Sequence, residues 1–333
     1  MICLPKSRGV GILVCLWLLA GCATVDKPAS LSVPHYTLRA EQNWQLNSPQ
    51  GERFDASGLL LTPAHELLTV NDRGPSIYRV EFSAAGNSAN LVLVTNAFTP
   101  PQLRPFAREK IGHYDCEGIA QDEAGRIYLC EEANRWVLRW DPKTRTVDRL
   151  NIDWSPVAKY FSSTDRNASF EGVAVSGGRL YLANERSQGR IIVVDLHTLK
   201  VIDDFAVRPS GSLAVDVHYS DLCYFENSLF VLLRESRVVL KVDPVSHRVL
   251  AEYNYREVEN TPEVAYYSLY FWVGVMEGLA VDADHIWLVT DNNGLGRLRH
   301  PNDIRPTLFR CARPDKAAGG NAVRPGDRQN SPR

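Results

Sequence analysis

The chain has 333 residues, 44% of them hydrophobic and 23% charged, with a formal net charge of −2 at pH 7. So balanced a charge carries no basic footprint for nucleic acid. The length is large for one ordinary domain but suits a single closed all-β architecture.

The first segment reads as an export signal. Lys6 and Arg8 precede an apolar run from Val10 to Ala20, too short to span a bilayer as a mature helix. The run ends in "LAGC", residues Leu19 to Cys22, which looks like a bacterial lipobox in which Cys22 receives lipid after cleavage. Ala23 follows the cysteine rather than Asp, which points by the bacterial sorting rule to the outer membrane. The expected organisation is a signal peptide at 1–21, a tether at 22–34, a β-propeller at 35–312 and a disordered tail at 313–333. The expected location is the cell envelope, anchored through the lipid at Cys22 and facing the periplasm. Beyond the signal, Cys116, Cys130, Cys223 and Cys311 fit neither a disulfide framework nor a zinc site.

Five stretches share one pattern: "ASGLLLTPAHELLTVNDRGPSIYRVEF" from Ala56, "CEGIAQDEAGRIYLCEEANRWVLRWD" from Cys116, "FEGVAVSGGRLYLANERSQGRIIVVDL" from Phe170, "SDLCYFENSLFVLLRESRVVLKVD" from Ser220 and "MEGLAVDADHIWLVTDNNGLGRL" from Met276. Each is a short apolar strand, a turn, a second strand ending in a polar residue, a polar loop and a third strand. Fourth strands follow in most copies, as in "NLVLVT" and "RVLAEYNY". Four strands per copy repeated around a ring is a β-propeller. Five blades are expected, six if the ends build a degenerate blade. The pieces "HYTLRAEQNWQLN" and "PTLFRCA" are expected to pair and close the ring.

Acids recur at the strand ends. Glu117 and Glu131 are 14 residues apart, as are Glu171 and Glu185, Asp221 and Glu235, and Glu277 and Asp291. The first copy has Ser57 and Asn71, with Asp72 beside them. The turn Glu123–Ala124–Gly125 suits a three-residue hairpin loop with a left-handed Gly125, a register that sets residue 117 opposite residue 131. Innermost strands of a propeller run the same way along the axis, so the acids should ring one channel mouth. Carboxylates so close raise one another's pKa and call for cations. A ring of carboxylate oxygens suits a hard ion, Ca²⁺ first. The alternative is that the acids pair with arginines of the following loops, Arg73, Arg135, Arg186 and Arg237, or with backbone N–H groups between blades.

Chain direction puts the blade-to-blade connectors on the same face, and they are long. They bring Arg104, Arg108, Lys110, His113, Lys159, Arg166, Arg208, His218 and Arg256 to a basic rim suited to an anionic ligand. His113 and His218 read as bases or phosphate contacts, or as buried structural histidines. The aromatic run Tyr266 to Trp272 reads as packing before it reads as a ligand platform. There is no G-x-S-x-G elbow, no H-E-x-x-H and no phosphate-binding glycine loop.

Two families share these motifs. "SDLCYFENSLFVLLRESRVVLKVD" resembles the repeat of SdiA-regulated, YjiK-like proteins. "EGLAVDADHIWLVTDNN" and "SGLLLTPAHELLTVNDRG" resemble the ends of the "esterase-like activity of phytase" family. The resemblance spans roughly residues 53–300. It implies a five-bladed propeller with bound calcium on one side, and phosphoester or ester hydrolysis on the other. Carried over by motif, Glu117, Glu171 and Glu277 match the first acid, and Glu131, Glu185, Glu235 and Asp291 the second. Ser57 and the "SDL" at Ser220 depart from the pattern. The resulting expectation is a monomeric, lipid-anchored propeller binding Ca²⁺ and an anionic small molecule or an envelope partner. It acts either as a metal-assisted phosphoesterase or as a non-catalytic binding module.

Overall fold

The computed structural model describes residues 32–317, except 85, 166–167, 186–188, 212–216 and 267–273. The signal, Cys22, most of the tether, Arg166, Arg186, all but Tyr266 of the aromatic run, and the tail beyond residue 317 lie outside the described residues. The strands all belong to one compact unit, Val33–Arg333. Among the described residues no helix is long and apolar enough to cross a membrane.

Two strands open the chain, β1 (His35–Thr37) and β2 (Ala40–Asn47). Four follow as an antiparallel meander: β3 (Ala56–Leu61), β4 (Leu67–Asn71), β5 (Gly74–Phe82) and β6 (Ser88–Leu93). The second meander is β7 (Cys116–Gln121), β8 (Ile127–Glu131), β9 (Trp136–Asp141) and β10 (Thr146–Arg149). The third is β11 (Phe170–Ser176), β12 (Arg179–Asn184), β13 (Arg190–Asp195) and β14 (Lys200–Phe205). The fourth is β15 (Tyr219–Phe225), β16 (Ser228–Leu233), β17 (Val238–Val242) and β18 (Val249–Asn254), with β1 added parallel to β18. The last strands are β19 (Met276–Val281), β20 (His285–Thr290) and β21 (Thr307–Ala312), and their outer partner is β2 from the opposite end of the chain. Strand β2 also runs parallel to β6, joining the last and first meanders edge to edge.

The innermost strands β3, β7, β11, β15 and β19 abut one another in that order, and β19 returns to β3. Apolar side chains fill the gaps between consecutive meanders. One cluster joins Val70 and Ile77 to Ile119 and Leu129; another joins Trp44 and Leu308 to Leu59 and Leu91 across the closure. Sheets covered on both faces explain why runs such as "SLFVLL" in β16 are buried throughout rather than alternating. This radial array of four-stranded meanders around a channel is a β-propeller.

At one end of the channel each first hairpin turns. Asp122 N–H bonds to Arg126 O at 3.0 Å, and Gly125 has φ +80°, the three-residue loop expected there. The third and fourth meanders turn more tightly, at Gly177–Gly178 and Glu226–Asn227, all four with positive φ. At the other end the first strands carry β-bulges, and these determine the functional geometry.

Candidate metal centre

The bulges change the register from that expected. Cys116 lies opposite Glu131 and Gly118 opposite Cys130, so Glu117 is the extra residue and is not across from Glu131. Glu171 and Glu277 occupy the same bulge position, between Phe170 and Gly172 and between Met276 and Gly278. In the fourth meander the shift falls between Tyr219 and Asp221, so the equivalent of the bulge acid is Ser220. A bulge at a rim re-aims its side chain, which is what turns these residues toward the mouth.

Counting from the bulges also re-places the second acids. The residue just past β12 is Glu185, whose N–H bonds to Ser169 O at 2.7 Å. The same bond is made by Asp72 to Asp55 O, Glu132 to Asp115 O and Asp291 to Val275 O. Strand register puts Arg234 at this place in the fourth meander. The mouth is therefore lined by Asp72, Glu132, Glu185, Arg234 and Asp291, with Ser57, Glu117, Glu171, Ser220 and Glu277 on the bulges. The constant spacing of 14 has two origins: the longer second hairpin loop moves the equivalent of Glu185 from Glu131 to Glu132, while Asp221 and Glu235 both stand one residue past the equivalent places in the fourth meander.

Three expected metal ligands are consequently elsewhere. Glu131 is fully buried and takes N–H groups from Asp115 and Asn134 and the Asn134 amide at 2.8–3.2 Å, so it fastens the following loop. Glu235 pairs with His218 at 3.1 Å and Arg234 at 3.1 Å. Asp221 sits where the other first strands have Gly58, Gly118, Gly172 and Gly278. Those glycines let the inner strands close in: a Cβ on Gly172 would lie 2.5 Å from Asp221 Cα. Asp221 instead fills the channel, its carboxylate accepting N–H bonds from Leu279 at 2.7 Å, Leu222 at 2.8 Å and Leu59 at 3.4 Å. It ties the fourth meander to the last and the first, and it is a core group.

The acids the mouth does gather are crowded. One oxygen from each of Asp115, Glu117 and Glu132 lies within 4.8 Å of the others, and the same holds for Glu132, Glu171 and Glu185. Glu132, Glu171 and Glu185 are buried, while Asp115 and Glu117 keep partial exposure. Burial, reinforced by neighbouring carboxylates, pushes Glu117 and Glu171 well above the usual range. Glu132 also accepts the Ser169 N–H at 3.0 Å, linking two meanders. Oxygens on opposite sides of a Ca²⁺ ion at about 2.4 Å stand about 4.8 Å apart, so the donor set fits a hard cation. Asp115 and Glu132 were missed in the sequence; the tandem Glu131–Glu132 was their visible signal.

The other side of the mouth is different. Arg234 bonds to Glu277, to Glu185 Oε1 at 2.9 Å and to Glu235 Oε1 at 3.1 Å. Each guanidinium nitrogen is engaged, and the surrounding carboxylates hold its pKa up against burial. Glu277 is thus partnered by arginine, although its Oε2 is buried with no partner among the described residues. Asp291 takes the Asn293 N–H at 2.7 Å; burial, then the Asp55 carboxylate, raises its pKa to about 7. Asp72 is likewise raised to about 7, by burial and then by Asp55 and Asp291.

The expected cationic partners are scattered. Arg237 is buried against Glu259 at 3.2 Å, and Arg135 bonds to Ser162 O at 2.6 Å and covers Phe161. His113 is exposed on a connector. His218 is half-buried, its pKa raised chiefly by Glu235. Arg73 remains at the mouth, its side chain 59% exposed and 3.7 Å from Asp55. Arg53 beside it bonds to Asp55 at 2.8 Å. Tyr266 is buried, its hydroxyl between Arg305 O and Thr307, as a packing role requires.

The fold and mouth define a β-propeller with an off-centre nest of carboxylates at one end of its channel. The chain belongs to the Phytase-like family described as "Esterase-like activity of phytase", whose pattern matches residues 55–294. A search of curated proteins returned no match. Among solved structures the chain is similar to glutaminyl cyclase from Myxococcus xanthus, with TM-score 0.55 and 12% identity over 84% of this chain and 97% of that one. It is also similar to PQQ-bound aldose sugar dehydrogenase from Streptomyces coelicolor, with TM-score 0.45 and 14% identity over 82% and 98%. At such identities the likeness is of fold alone.

Proposed function

We propose that this chain is a five-bladed propeller that binds one Ca²⁺ ion in the carboxylate nest and hydrolyses an anionic ester, a phosphoester first. The observation that carries the reading is the oxygen-only cluster built from two adjacent bulged meanders. Asp115, Glu117, Glu132 and Glu171 would hold the ion, with Glu185 shared between it and Arg234. A bound ion supplies a Lewis acid for a phosphoryl oxygen and lowers the pKa of bound water. The chain's own groups do the rest. Arg234 fixes Glu185 and Glu277 and neutralises the fourth position, so the cation is drawn to one side of the axis. Arg53 and Arg73, the exposed guanidiniums at the mouth, orient the anionic end of the substrate. Five blades are supported by the five innermost strands and by closure of β21 with β2.

The lipobox at Cys22 supports export, lipid anchoring and an outer-membrane location facing the periplasm. Cys22→Ser should abolish lipid labelling and leave an unprocessed precursor; normal maturation would contradict the anchor. The activity is tested with aryl phosphate and aryl carboxylate esters. Turnover should depend on calcium, stop with chelator and fall in Glu132→Gln. Calcium binding without turnover of either ester would contradict the hydrolase and leave a binding module.

A further inference from the structure

The hairpin end of the channel holds a cavity of about 390 Å³, independent of the acidic mouth. The first strands of all five meanders line it, through residues such as Leu61, Ile119, Val175, Cys223, Phe225 and Val281. Asp221 separates it from the acids, because its carboxylate spans the channel to the Leu59 and Leu279 N–H groups. The volume lies within the range of small-molecule sites, about 300–1,000 Å³.

Its lining is mainly aliphatic and aromatic. The one carboxylate among its lining residues, Asp282, is spent on the N–H groups of Asp284 and His285 at 2.7 Å and the Trp287 indole at 2.9 Å. His65, exposed in the first hairpin loop, also lines it, and among the described residues no lysine or arginine does. Burial holds the Cys223 thiol up at about 12, so it is neutral.

We propose that this cavity is a second binding site, for a small uncharged ligand with an apolar, ring-sized body. N-phenyl-1-naphthylamine is a suitable probe, since it is neutral and consists of two aromatic groups. Its fluorescence should rise saturably, with one site per chain. Its sulfonated relative 1-anilinonaphthalene-8-sulfonate should bind more weakly, because the lining offers the Asp282 carboxylate and no lysine or arginine to the sulfonate. Cys223→Phe and Leu61→Trp, each checked for an unchanged melting temperature, should fill the space and abolish the signal. In the unmodified protein the probe should also slow maleimide alkylation of Cys223, the only free cysteine among the described residues that is not fully buried. Absence of saturable binding, or equal affinity in both filled variants, would overturn the site. Tighter binding of the sulfonate would overturn the assigned ligand chemistry.

Discussion

The second and third meanders and the fourth meet the same mouth with opposite chemistry. On one side Glu117, Glu132, Glu171 and Glu185 crowd within reach of one another, Glu132 belonging to both close groups. On the other, Ser220 stands at the bulge and Arg234 at the strand end, one uncharged and one cationic. The backbone is equivalent in both regions, so the contrast is purely one of side chains. A ring of like acids would draw a cation onto its axis. Arginine at one place satisfies that side internally and leaves the need for a cation on the other.

The comparison breaks most severely at Arg234. Arg234→Met would leave Glu185 and Glu277 buried without their counter-charge, and removing one partner of a buried pair costs about 3–5 kcal/mol. Urea denaturation should show that loss, and millimolar Ca²⁺ should recover part of it. A loss below about 1 kcal/mol would mean that Arg234 is merely a surface charge.

On the acidic side, Ca²⁺ at a hundredfold excess over Kd should stabilise the protein by about 2.7 kcal/mol, read as a rise in Tm of about 5 °C. Acidity should modulate this gain. Asp72 and Asp291 have folded pKa values of about 7, raised from 3.8. The folded state therefore binds more protons than the unfolded state between about pH 4 and 7. Metal-free stability should fall as pH rises through that window, and remain at its lower level above it. The calcium-induced gain should grow with rising pH, because burial holds the ligands Glu117 and Glu171 above the usual carboxylate range and the ion must displace their protons. A metal-free Tm that rises from pH 5 to 8 would contradict the crowding.

Smaller effects sharpen the boundary. Glu235→Gln lies outside the nest, so calcium affinity should stay within about twofold, while the His218 pKa falls because its main supporting acid is gone. Glu123→Gln, in the hairpin loop at the far end of the channel, should change neither. A large loss of calcium affinity in either variant would put the ion somewhere else.

How far the sequence reached depends on which physical signal each feature left. Period-two alternation and repeated turns were visible, so the meanders, the left-handed Gly125 and the pairing of β2 with β21 were all readable. The bulges were not, because an extra residue in a strand has no composition of its own; "EGI" and "SDL" read alike until pairing shows that Asp221 occupies a glycine's place. The longer second hairpin loop then displaced the second acid by one residue and hid Glu132 behind Glu131. Counting from Asp221 in place of the bulge residue Ser220 hid Arg234 behind Glu235. The destinations of Arg135 and Arg237 depend on distant loops, which a local pattern does not encode.

The central claim is that the cation need of this mouth is met internally beside Arg234 and externally beside Glu132. Calorimetric titration of metal-free protein with Ca²⁺ tests it most directly. The account predicts one ion per chain in the unmodified protein, affinity weakened by about tenfold or more in Glu132→Gln, which removes a charged oxygen ligand, and affinity nearly unchanged in Glu277→Gln. No calcium heat in the unmodified protein, or equal losses in the two variants, would contradict it.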